Sequence, residues 1–155
     1  MAGTAEARLA QLGLTLPPAP AAVAAYVPFI RSGRILYLSG QIPVEGGKPA
    51  FLGRIGAELS LEQGQAAARL CALNALAQIK AAAGDLDEVV RVLRLVGYVA
   101  CAPDFTEAHK VINGASELLA QLLGDAGRHA RSAVGVAVLP LNVPTEIELT
   151  VELNG

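Results

Sequence analysis

Tryptophan is absent from this 155-residue chain, and aromatic residues make up only 4% of it. A base-stacking surface of the kind that grips single-stranded nucleic acid is therefore hard to assemble. Charge of one sign is lacking as well: 12 Lys and Arg stand against 14 Asp and Glu, a formal net charge of −2. No basic stripe is present to neutralise a run of phosphates, so no nucleic-acid partner is expected. Cysteine occurs twice, as Cys71 and Cys101 without CxxC spacing, and the two histidines, His109 and His129, are separated by a helix and a Gly-containing turn. Neither pattern suits a metal site, and both thiols read as small buried filler. Long hydrophobic runs are missing too. No stretch approaches the roughly 20 apolar residues that span a bilayer. The N-terminus lacks the basic and apolar regions of a signal peptide, so no membrane association is expected and the cytoplasm is the default location.

What is present is a large apolar fraction, 53% against 17% charged residues, supplied mainly by Ala, Val and Leu. A compact monomer would struggle to hide that much, so part of it is expected between subunits. The length suits one domain over residues 1–155, with residues 1–22 forming an N-terminal helix and a Pro-rich extension.

Thr4 is placed to cap a helix of Ala5 to Leu12 that Gly13 ends. Tyr26 to Arg31 and Arg34 to Ser39 read as a hairpin turning at Ser32-Gly33. Residues 49–59 are ambiguous between loop and strand. Ser60-Leu61-Glu62-Gln63 is a capping box opening a helix to about Ala83. Arg91 to Cys101 is the clearest long strand. Asp104 and Glu107 begin a second helix, with Leu118, Leu119, Leu122 and Leu123 inward and Gly124 near its end. Arg131 to Val138 and Thr145 to Leu153 close the chain as strands. Helices of this length on one face of a small mixed sheet make an α+β two-layer sandwich.

Arg131 heads the most informative stretch. With period 2, Arg131, Ala133, Gly135 and Ala137 share one face, and Val134, Val136 and Val138 the other. The valine face suits a core. The small-residue face leaves room for something large, with a guanidinium at its rim, and a planar five-donor fork there suits a carboxylate ligand. The plain alternative is an ion pair with a carboxylate such as Glu148 or Asp125. Glu146 and Glu148 point to one side of the last strand, where such groups are mostly solvated. Asn113, in Val111-Ile112-Asn113-Gly114-Ala115, needs a partner for its amide: it caps a local bend or faces a ligand. Tyr26 and Tyr37 read as core or interface aromatics. Ser39-Gly40-Gln41 is either turn chemistry or a source of backbone donors.

Taken together, Tyr26, Ser39-Gly40-Gln41-Ile42-Pro43, Asn113, Arg131-Ser132, Leu139-Pro140 and Glu146-Ile147-Glu148 resemble, in order and spacing, the Rid family. These are the reactive intermediate deaminases, also called the YjgF family, and the resemblance runs from about Tyr26 to Leu153. It implies a chorismate-mutase-like α+β fold and a homotrimer whose sheets form a central barrel with three intersubunit clefts. It also implies hydrolysis of 2-imino or enamine acids to 2-keto acids and ammonia, with no metal and no organic cofactor. On that resemblance Arg131 would clamp the substrate carboxylate, and Glu146 would orient or deprotonate water. Tyr26, Ser39, Gly40 and Asn113 would line the cleft. Two alternatives stand beside it: a non-enzymatic trimer binding small carboxylates or partner proteins at the same clefts, and, more weakly, a ribonuclease. The chain departs from the deaminase pattern at Ala24-Ala25, where Gly-Pro is frequent, and at Ala133, where Cys is frequent. It thus resembles a longer branch of the family.

Overall fold

The computed structural model describes residues 3–22 and 24–155; Met1 and Ala2 of the expected extension lie outside the described residues. The elements run α1 (Thr4–Gln11), β1 (Phe29–Ser32), β2 (Ile35–Leu38), β3 (Val44–Glu45), β4 (Lys48–Pro49), α2 (Leu61–Ala83), β5 (Val89–Ala100), α3 (Ala108–Leu123), β6 (Ala130–Val136) and β7 (Thr145–Leu153). Five strands form one sheet in the order β1-β2-β7-β5-β6. β5 and β6 are parallel, joined by the α3 crossover, and the other pairs are antiparallel. The expected mixed sheet with α2 and α3 on one face is what forms.

β7 shows why. Thr145, Ile147, Leu149, Val151 and Leu153 are all buried, while every residue between them is half-exposed. The buried set meets α2, where Cys71 Sγ lies 3.3 Å from Thr145 Oγ1. Fully buried Leu76, Ile79, Leu95, Ile112, Leu118 and Leu122 fill the layer between helices and sheet. Each such side chain contributes about 1.5–3 kcal/mol relative to exposure. α2 starts where the capping box places it: Gln63 N–H donates to Ser60 Oγ, and Ser60 N–H donates to Gln63 Oε1. Both cysteines are buried as expected, and burial pushes the Cys71 thiol up to about 12.

Three expectations are corrected. Thr4 does not cap α1 but is its first residue; the cap comes from Asp87, whose carboxylate accepts from Thr4 N at 2.6 Å and Ala5 N at 3.0 Å. A carboxylate at a helix N-terminus satisfies the free N–H groups and suits the helix dipole. At the other end Gly13, at φ +69°, completes a Schellman turn as Leu14 N–H reaches the Leu9 carbonyl.

The second correction concerns β6. Its valines face outward, with Val134 45% exposed, while Ala133 packs against the core. Period 2 is obeyed, but the bulky element over the small residues is α3. The strand also stops at Val136, before a turn of 3-10 helix at Pro140–Asn142 in which Leu141 and Asn142 sit at φ +60°.

Third, Asn113-Gly114 does not bend α3, which runs unbroken. A Cβ on Gly114 would stand 2.1 Å from the Gln65 carbonyl oxygen, so the glycine permits a close approach of α3 to α2.

Candidate functional site

A cavity of about 240 Å³ opens between the connector that follows α1 and the loop that leaves β2. Glu146 projects into it with Tyr26, Gly40, Ile42, Pro140 and Leu141. As the second residue of β7, Glu146 follows buried Thr145 and so points away from the helices. Its carboxylate lies over Gly40, where a Cβ would come within 2.0 Å of Oε1. Burial pushes Glu146 above the usual carboxylate range, and the negative charge of Glu148 adds to the effect. Glu148 shares its strand face but is engaged differently, accepting from Tyr98 Oη at 2.7 Å. Glu146 is thus the carboxylate held in an apolar space with an elevated proton affinity.

Replacing Gly40 with alanine is expected to dislodge that carboxylate and little else, because the obstructed atom is the end of a flexible side chain. Misplacement of a reacting group by about 1 Å can cost about 100-fold in rate. We expect a loss approaching that in kcat, with a melting temperature within a few degrees of wild type. A parallel loss of both would refute the assignment of Gly40 as a clearance for Glu146.

Two buried amides on α2, one turn apart, fix the cavity's opposite walls. Asn74 Nδ2 donates to the carbonyls of Ile42 (3.0 Å) and Val44 (3.1 Å), and Gln78 Nε2 donates to the carbonyl of Pro20. Residues at i and i+4 share one side of a helix, so α2 is a common template for both walls. Ser39, expected as a lining residue, instead donates its hydroxyl to the Val27 carbonyl at 2.6 Å and ties the connector to the end of β2.

Arg131 stands elsewhere, on the edge strand β6, beneath α3. Its Nη1 donates to Ser116 Oγ at 3.1 Å and its Nη2 to the His109 carbonyl at 2.8 Å. Among the described residues it has no ion-pair partner, so the expected alternative of pairing with Glu148 or Asp125 is not realised within the chain. Asn113 lies between His109 and Ser116 on the same stripe of α3, half-buried.

Sequence reasoning missed Ser116 and His129. His129 Nδ1 lies 2.7 Å from the Gly127 carbonyl, which can only accept, so Nδ1 carries the proton. In the neutral ring Nε2 is then an acceptor, and Ser116 Oγ, 2.9 Å away, donates to it. The serine oxygen is left to accept from Arg131. Burial lowers the proton affinity of His129 and outweighs the opposing Gly127 hydrogen bond, and the Arg131 charge adds to the lowering, which favours the neutral ring. The signal was available: position 129, just ahead of β6, shares the parity of 131.

The geometry therefore makes two clusters. Tyr26, Gly40 and Glu146 meet at the cavity; Arg131 is held against the stripe of α3 that carries His109, Asn113 and Ser116. They lie on opposite faces of the sheet, with β5 between β6 and β7. One copy of the chain does not bring Arg131 to Glu146.

A family model described as "YjgF/chorismate_mutase-like, putative endoribonuclease" matches residues 6–153. Protein TCP17 of Trypanosoma cruzi is 46% identical over 153 residues, spanning 98% of this chain and 96% of that protein. The crystal structure of Atu1372 from Agrobacterium tumefaciens, a protein of unknown function, is 52% identical with a TM-score of 0.91, covering 97% of this chain and 94% of that one. The chain is also similar to E. coli TdcF crystallised with bound serine, at 25% identity and a TM-score of 0.64, over 88% of this chain and 94% of that one. The matched span takes in every strand and both long helices, and the chain belongs to the YjgF/chorismate-mutase-like family.

Proposed function

We propose that the protein is a hydrolase of 2-imino or enamine acids, working as a homotrimer in which Arg131 of one protomer faces the Glu146 cavity of the next. The observation that carries this reading is a half-buried guanidinium, oriented by two neutral acceptors and left without a carboxylate. Desolvating a permanent cation is costly unless a counter-charge meets it, and a small carboxylate ligand would supply one bidentately. Assembly is supported by the sheet face opposite the helices, where Ile30, Tyr37 and Val134 are 57%, 51% and 45% exposed. The serine bound in TdcF is itself a small amino-acid carboxylate.

The chemistry needs no more than orientation and one proton relay. Arg131 would hold the substrate carboxylate, leaving the imine carbon toward Glu146. Ionised Glu146 would take a proton from water as the oxygen adds to that carbon. That proton would then pass to nitrogen to give the neutral carbinolamine, and Glu146 would next take the hydroxyl proton and deliver it to nitrogen, so that ammonia leaves as the carbonyl forms. An enamine enters after protonation at C3 to its imine tautomer. Holding the reactants in line and shuttling one proton are each worth several orders of magnitude.

The test is the decay of 2-iminopropionate generated in place by an amino-acid oxidase. Wild type should accelerate it, and Arg131→Ala should lose about 100-fold or more in kcat/KM, through loss of two charge-assisted hydrogen bonds. An equally active variant would end the idea. Binding of 2-keto acids without turnover of any imine would favour the second reading, a carboxylate-binding protein. The ribonuclease named in the family description is poorly served by a net charge of −2. Nuclease activity that survives purification and disappears with Arg131→Ala would restore it.

A further inference from the structure

We propose that the Glu146 cavity selects imino acids with an uncharged, apolar side chain of branched-aliphatic or phenyl size; this rests on the hydrolase reading and names its substrate class. The wall around Glu146 is made by Ala22, Pro28, Ile42, Val44 and Leu141. Its two amide side chains each spend a donor on the backbone. Gln41 Nε2 donates to the Ser39 carbonyl at 3.0 Å, and Gln78 Nε2 donates to Pro20. A hydroxyl or amide on the substrate side chain would face a mostly apolar wall, and a hydrogen bond left unmade there costs its full desolvation. An acidic side chain would in addition meet the carboxylate of Glu146.

Size points the same way. At about 240 Å³ the space exceeds the roughly 150 Å³ apolar cavity that accommodates benzene in another protein. The methyl group of 2-iminopropionate would leave most of it to water against apolar walls. A branched or aromatic group would fill it. Apolar pockets discriminate by about 10- to 200-fold per methylene, so selection by fit alone is large enough to measure.

From the connector, Pro20, Ala21, Ala22, Ala24, Tyr26 and Pro28 supply one side of the cavity.

The experiment presents the full-length protein with imines made by an amino-acid oxidase from leucine, phenylalanine, alanine and serine. In parallel, calorimetry compares 4-methyl-2-oxopentanoate with pyruvate. We expect kcat/KM at least about tenfold higher for the leucine- and phenylalanine-derived imines than for the other two, and the same order in keto-acid affinity. Ala22→Phe, which intrudes on the cavity wall, should cost the leucine-derived imine about tenfold more than the alanine-derived one. Equal or better turnover of the serine- or alanine-derived imine overturns the proposal and leaves the hydrolase reading intact. Apolar-selective keto-acid binding without turnover sustains the pocket and sinks the chemistry. Absence of both turnover and binding sinks both.

Discussion

Glu146→Gln is expected to abolish imine hydrolysis almost completely, by about 10²- to 10⁴-fold in kcat, the usual contribution of a positioned acid–base group. The amide keeps the shape of the side chain over Gly40 but can neither accept nor return a proton. KM should change little, since the substrate carboxylate is held by Arg131. The same substitution carries a second, independent signature. Folded Glu146 has its proton affinity raised by burial and by Glu148. A group raised in this way favours the folded state while protonated, and that contribution is lost as pH rises through its folded value. At neutral pH the wild type holds a desolvated charge that the variant lacks. Glu146→Gln should therefore melt higher than wild type at pH 7, with the gap closing as the pH falls below the usual carboxylate range, about 4.3. Wild-type activity should decline toward acid with a midpoint above that range, and Glu148→Gln should move the midpoint down. A variant that retains activity, or one less stable than wild type at pH 7, would show that Glu146 is not the buried proton carrier.

The largest effect on stability is expected from Gly114→Ala. Inside a helix alanine is favoured over glycine by about 1 kcal/mol, so intrinsic propensity alone predicts a gain. Here the new Cβ would sit 2.1 Å from the Gln65 carbonyl oxygen and 2.8 Å from its carbon. The Cβ is fixed by its own backbone and the atoms it meets are backbone, so no rotamer can relieve the contact and the two helices must separate. Overpacking of this kind costs about 1–3 kcal/mol and occasionally more. Set against the propensity gain, a net loss of up to about 2 kcal/mol is expected. For a domain of this size that upper value is a fall of about 4–8 °C in melting temperature. Asn113→Ala, one residue away, places no new atom between the helices and should melt close to wild type. If Gly114→Ala stabilised the protein, the helix contact would be looser than described.

What the residues themselves disclose follows from how each element is partnered. β7 is legible to the residue because one face is buried and the other is not, so alternation and burial coincide from Thr145 to Leu153. α2 is legible at its start because Ser60 and Gln63 satisfy each other locally. β6 is only half legible. Alternation says which residues travel together, but not which set lies inward. That depends on the crossover helix, which is admitted by Ala133 and the fully buried Gly97 rather than by bulky packing. The family motif collects Arg131 and Glu146 into one list, and the fold sets them on opposite faces. One-dimensional spacing carries no information about a sheet lying between two side chains. His129 and Ser116 escaped notice for a related reason, since their link to Arg131 closes only when α3 lies across the edge strand.

The anchoring of the connector also bears on kinetics. A chain segment with prolines at positions 17, 18 and 20 has few backbone torsions left to lose, and Gln78 and Ser39 pin it at two points. Such a wall is shaped before any ligand arrives, in contrast to a flap that must fold down. Little ordering entropy would then be charged to the bound complex. Uptake should follow a single exponential phase whose rate rises linearly with ligand concentration, without the plateau that a slow closing step imposes.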